Sequence, residues 1–193
     1  MPQEWRPLVL GLAAAVVWAG SASAQSMPIG ERIQQCNACH GEDGNSRLEK
    51  VPSLAGQPAF FVLNQLFLMR EGVRKVEAMA AIVKELSDAD LDALSKHYAG
   101  LEPKRSDEPV DQALMRRGAE LMGPLRCGSC HKPDLSGHDQ MPRVARQRID
   151  YLIHSLKEFR DGTRTGADTL MSNVVTGLPD RDIAALAHYA ASR

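Results

Sequence analysis

Cysteine and histidine carry the most specific pattern in this chain. Cys36-Asn37-Ala38-Cys39-His40 recurs as Cys127-Gly128-Ser129-Cys130-His131, and in each the Cys-x-x-Cys pair is followed at once by histidine. Two thiols at that spacing can add across the two vinyl groups of one haem, and the adjacent imidazole then lies under the iron as proximal ligand. Covalent attachment also holds the cofactor in a domain too small to enclose it. The rival chemistries fit less well. A four-cysteine zinc site needs its two pairs close in sequence, and these are far apart. A thioredoxin-like redox pair needs a βαβ context. Here helical patterns flank both motifs. Two structural disulfides would give the histidines no role.

The repetition extends well beyond the motifs. Val51-Pro52-Ser53-Leu54-Ala55-Gly56-Gln57 lines up with Met141-Pro142-Arg143-Val144-Ala145-Arg146-Gln147. Phe61-Val62-Leu63 lines up with Tyr151-Leu152-Ile153, and Glu71-Gly72 with Asp161-Gly162. Met79 with Leu86 matches Met171 with Leu178, and His97-Tyr98-Ala99 matches His188-Tyr189-Ala190. The mature chain is therefore a duplicated haem domain.

The repeat also sorts the candidates for the second axial position on each iron. Met69 falls in a helical apolar pattern and matches Phe159, so it reads as packing, as do Met115, Met122 and Met141. Met79 and Met171 correspond, and they are the favoured ligands. His97 and His188 also correspond, which makes bis-histidine ligation the rival. Each stands deep in the last helix beside a tyrosine, a common place for a surface or packing residue. His138 and His154 have no counterparts in copy one.

The elements that position these groups are helices and loops, with no strand alternation. Apolar spacing predicts helices over 29–35, 59–70, 110–122, 149–159 and 180–191. Ser87-Asp88-Ala89-Asp90 reads as a helix start with acids in the first turn. Pro179 suits a helix entry. Between motif and second helix each copy has a long Gly- and Pro-containing loop, and wrapping a haem would order it. The stretch 101–109 is charged and bracketed by prolines, and reads as an exposed linker. The organisation expected is a signal peptide over 1–24, a haem domain over 25–100, that linker, and a second haem domain over 110–193. The signal peptide rests on Arg6, the apolar run 8–19 and the small-residue site Ala22-Ser23-Ala24. That run is short for a membrane span, and the mature protein is expected to be periplasmic.

Composition narrows the classes. Of the 193 residues, 44% are hydrophobic and 24% charged, with a formal net charge of -1, which excludes a disordered or multi-span membrane chain. A sequence pI near 6.6 gives no reason to expect nucleic acid.

Both Cys-x-x-Cys-His motifs, Pro52-x-Leu54-Ala55-Gly56-Gln57, Met79 with Leu86-Ser87-Asp88 and the matching second copy resemble the di-haem class I cytochromes c of the cytochrome c4 family. The resemblance implies an all-α protein of two tandem class I cytochrome c domains, one covalent haem c in each. It implies that Pro52 and Pro142 offer their carbonyls to His40 and His131. It implies that Gly30 lets the first and last helices pack closely against Tyr98, as Gly118 would against Tyr189. It implies periplasmic electron transfer rather than catalysis, with a quinol-oxidising complex or periplasmic dehydrogenase as donor and a terminal oxidase as acceptor. Any membrane association would be peripheral, through those partners. The alternative reading is the electron-accepting subunit of a dehydrogenase complex. A peroxidase would need an open iron site, which Met79 and Met171 fill. Copy two departs from the pattern in Lys132 and Arg146, where copy one has Gly41 and Gly56. Arg143, Arg146 and Arg148 there read as a solvated face, as partners of haem propionates or as a docking patch for an acidic redox partner.

Overall fold

A computed structural model describes residues 1, 3, 27–166 and 169–193. The apolar run 8–19 and the cleavage site expected after Ala24 lie outside the described residues. Among those described, no helix is long and apolar enough to cross a membrane.

The described chain is helical, and the helices come in the same order twice. The first set is α1 (Ile29–His40), α2 (Ala59–Arg70), α3 (Glu77–Val83) and α4 (Asp88–Ala99). The second is α5 (Gln112–Met122), α6 (Cys127–His131), α7 (Ile149–Arg160), α8 (Thr169–Val175) and α9 (Asp180–Ala191). In copy one the Cys-x-x-Cys-His motif is the last turn of α1, which runs on past the end expected at Gln35. In copy two Pro124 has no N–H to continue α5, and the chain restarts as α6 after Arg126 turns left-handed. The last helix of copy one starts as its sequence indicates. The Ser87 hydroxyl accepts from Asp90 N–H while the Asp90 carboxylate accepts from Ser87 N–H, a reciprocal cap. Asp111 caps α5 through Ala113 and Leu114 N–H, so that helix begins two residues later than expected.

Each copy has its own core. In copy one Val62 and Leu66 from α2 meet Leu91, Leu94 and Tyr98 from α4, with Val83 and Leu86 between them. In copy two Ile149 and Leu152 from α7 meet Ala187, Ala190 and Ala191 from α9. α5 comes close to α9 at Ala185 and Tyr189. A Cβ on Gly118 would sit 2.2 Å from the Ala185 carbonyl oxygen and 2.6 Å from Tyr189 Cβ, as the resemblance implied. Gly30 corrects the other half of that expectation. It is exposed, and a Cβ there would meet nothing within 4 Å. In copy one the first and last helices are joined by polar contacts instead: Tyr98 Oη lies 2.8 Å from the Asn37 side-chain amide, and Arg32 Nε 3.1 Å from Asp90 Oδ1.

The haem-loop conformation outlasts its glycines. Gly41, Gly44 and Gly56 have φ of 87°, 70° and 64°, and Lys132, Leu135 and Arg146 hold the matching positions at 67°, 62° and 55°. Each of those side chains costs about 1 kcal/mol of local strain relative to glycine.

The two copies meet through buried amides. Gln57 Nε2 donates to Arg143 O at 2.9 Å and Gln57 Oε1 accepts from Arg143 N–H at 3.0 Å. Gln147 Nε2 donates to Ser53 O at 2.9 Å, and Gln147 Oε1 accepts from Ser53 N–H at 2.8 Å. Because Gln57 matches Gln147 and Ser53 matches Arg143 in the repeat, the contact is a local pseudo-twofold. The connecting segment 101–109 is irregular and mostly exposed, but it is anchored. The Glu108 carboxylate accepts from Ile149 and Asp150 N–H at 2.7 and 2.9 Å and caps α7.

Candidate haem sites

In copy two the end of α6, the following loop, α7, α8 and α9 enclose a cleft. Cys127, His131 and Met171 all line it. The rest of the lining is apolar, with Leu152 and Leu156 from α7, Val174 and Val175 from α8, and Ala187 from α9 among it. Met122 and Leu125, ahead of the motif, line it too. Sequence reasoning put Met122 in ordinary helix packing. Its three-residue distance from Leu125, just before the cysteines, was the available signal. A cleft with sulfur and imidazole set in an otherwise apolar wall suits a flat, largely apolar iron macrocycle.

His131 is buried, and its Nδ1 lies 2.8 Å from the Pro142 carbonyl oxygen. A carbonyl only accepts, so Nδ1 carries the proton and Nε2 presents its lone pair. Burial lowers the imidazole pKa, the Pro142 carbonyl opposes this, and His138 adds to the lowering. The ring is therefore neutral at neutral pH, the state that ligates a metal. Copy one repeats the arrangement: His40 is buried with Nδ1 2.8 Å from the Pro52 carbonyl oxygen, and burial again lowers its pKa. Cys36 and Met79 pack against the core of copy one, and so does Met69.

Cys39 and Cys130 are exposed, Cys36 and Cys127 half-buried, and all four are free of disulfides. Burial pushes the Cys36 and Cys127 thiols up, opposed at Cys36 by the Tyr98 hydroxyl and Arg32. Among the described residues, no three His, Cys, Asp or Glu side chains converge on a metal-ion site. The histidines weighed as rival ligands are placed differently. His188 Nδ1 accepts from Asp111 N–H at 3.1 Å, and His97 stands edge-on to the Tyr98 ring, 5.0 Å between centroids. His138 pairs with Asp139 and His154 with Glu158 on the surface.

The arginine cluster of copy two divides. Arg148 is a buried hub with its guanidinium 2.9 Å from Asp150, 3.5 Å from Asp107 and 3.7 Å from Glu108, so its charge is already met. Arg143 is buried at the junction of the copies, donating to the Ala55 carbonyl at 2.7 Å and to the Ala145 carbonyl. Arg146 is exposed.

Two helical units of one plan, each with a Cys-x-x-Cys-His helix end and a buried histidine held by a proline carbonyl, define a di-haem c-type cytochrome. The comparisons agree. A family model described as cytochrome c matches residues 115–192, and one described as cytochrome c oxidase, cbb3-type, subunit III matches 31–97. The chain is 34% identical to cytochrome c4 of Pseudomonas aeruginosa over 193 residues, which cover 94% of this chain and 93% of that one. The chain belongs to the cytochrome c4 family. Its fold is similar to reduced cytochrome c4 from Pseudomonas stutzeri, with a TM-score of 0.77 and 31% identity across 86% of this chain and 98% of that one. It is also 29% identical to a thiosulfate dehydrogenase electron acceptor of Thiomonas intermedia, over 97% of this chain and 91% of that protein. It is an electron-transfer protein carrying two covalently bound haem c groups, one in each domain.

Proposed function

We propose that the protein is exported to the periplasm through a cleaved signal peptide. There it passes single electrons from a quinol-oxidising complex or a periplasmic dehydrogenase to a terminal oxidase. The observation that carries the reading is the cleft of copy two, in which Cys127, His131 and Met171 come together in an apolar wall. Cys36 with Cys39, and Cys127 with Cys130, hold the two haems. His40 and His131 would ligate the irons, each ring oriented by Pro52 or Pro142. Met79 and Met171 would supply the second protein ligand to each iron. The bound haem iron supplies one-electron cycling between ferric and ferrous states. The chain's own work is orientation, insulation and docking. Apolar walls exclude water, and a methionine on each iron would leave no place for a substrate and would raise the potential.

A second reading is favoured by the similarity to the thiosulfate dehydrogenase electron acceptor. In it the protein receives its electrons directly from a periplasmic dehydrogenase subunit. Co-purification with a larger dehydrogenase would select it over a quinol-derived donor.

Redox titration of the periplasmic fraction tests the carrier function. Two one-electron steps and no carbon monoxide binding to the fully reduced protein are expected. Carbon monoxide binding in the native protein would show an open iron and contradict the carrier reading.

A further inference from the structure

A second cavity has a lining that shares no residue with the cleft of copy two. It measures about 450 Å³ and opens between the linker, the haem loop of copy two and the residues after α9. Arg105, Arg143, Arg146 and Arg193 line it, with Asp134 and Ser136. Among the described residues, none of the four arginines forms an ion pair with a side-chain carboxylate, in contrast to neighbouring Arg148 with its three. Arg146 donates to the main-chain oxygens of Pro103 and Arg193. Arg193 lies over the Tyr189 ring at 5.4 Å. Arg143 is 4% exposed, and its Nε has no hydrogen-bond partner. Burial and the charge of Arg146 bring its pKa down to about 10. Asp134 is the acid on the wall, and its carboxylate accepts from Ser136 N–H at 3.1 Å.

Copy one shows what the same walls hold when they are filled. There Lys104 Nζ lies 2.7 Å from Asp43, Lys104 N–H donates to Asn45 Oδ1 at 2.8 Å, and Pro103 packs on Gly56. Asp43, Asn45 and Gly56 match Asp134, Ser136 and Arg146. In copy two the groove is open and a strained left-handed arginine replaces the glycine. Strain kept at an exposed position points to a use for the side chain.

We propose that this pocket binds one small oxyanion of the phosphate or sulfate kind, with Arg105, Arg143 and Arg146 as its donors. Planar guanidinium groups bind such anions through paired charge-assisted hydrogen bonds. A cavity of this size admits the anion with its water and is too confined for a folded partner surface. The anion offers Arg143 Nε the acceptor it lacks.

Calorimetric titration of the two-haem protein with inorganic phosphate tests this, at ionic strength held constant with chloride. One saturable site per chain is expected. Arg146→Gly installs the residue that copy one carries at the same left-handed position, and Arg105→Gln changes an exposed linker residue. Each is expected to weaken binding at least about tenfold while the haem spectrum holds and the melting temperature does not fall. No saturable binding in the native protein would overturn the proposal. So would phosphate binding that both variants leave unchanged, which would place the anion elsewhere.

Discussion

The side-chain amide of Gln147 closes on the backbone of Ser53, donating to its carbonyl at 2.9 Å and accepting from its N–H at 2.8 Å. Gln57 does the same to Arg143 from the other copy. All four residues are buried, so each amide satisfies a peptide group that water does not reach. Gln147→Ala strands the Ser53 N–H and carbonyl together. The expected cost is about 1–3 kcal/mol in urea unfolding, and Gln57→Ala is expected to match it because the contact is repeated. A loss confined to one of the two variants would contradict a symmetric lock.

The family resemblance gave Gly118 and Gly30 the same role, and they do different work. Gly118→Ala drives a methyl into the Ala185 carbonyl and Tyr189, and is expected to cost about 1–3 kcal/mol. Gly30→Ala meets open space inside a helix, where it is expected to be neutral or to stabilise by up to about 1 kcal/mol. Melting temperatures of the two variants check the contrast.

How much of this was legible in the sequence depended on what each residue had to do. α2 and α9 were readable to the residue because Pro58 and Pro179 mark their starts and apolar spacing continues to their ends. The seven-residue helices α3 and α8, which carry Met79 and Met171, were not read, because two turns are too short to show a period. The end of α1 was missed because its motif residues have no amphipathic pattern of their own. The pairing of His40 with Pro52 and of His131 with Pro142 was implied by the family resemblance, and the structure puts each pair in contact. The Gln57 and Gln147 contacts were not. A glutamine that locks two domains has the same letter as one in water, and only its recurrence in the repeat marks it.

Asp90 sets part of the acid stability. Burial pushes its carboxyl up, but the Ser87 N–H and hydroxyl and the Arg32 charge outweigh this and hold it below its ordinary value of 3.8. The folded state thus binds this proton less readily than the unfolded state. The stabilisation is complete above the ordinary value and is lost as pH falls through the lower folded one. Asp90→Asn is expected to lower stability at neutral pH and to flatten the loss below pH 4. Unfolding curves for the two proteins that stay parallel through the acid range would contradict this.

On the proposed ligation, Met171→His would exchange a thioether for imidazole on one haem iron. The expected result is a fall in one of the two potentials, read by redox titration, with the other left in place. Met79→His should act on the other step alone. Both potentials unmoved in both variants would remove these methionines from the iron.

The central claim is that each copy holds one haem between histidine and methionine. The most direct measurement is the optical spectrum of the purified protein, oxidised and reduced, with haem counted per chain as the pyridine haemochrome. The expected result is two covalent haems and the weak long-wavelength methionine–iron charge-transfer band, lost by half in Met171→Ala. Two haems without that band, or a high-spin spectrum, would contradict the ligation by Met79 and Met171.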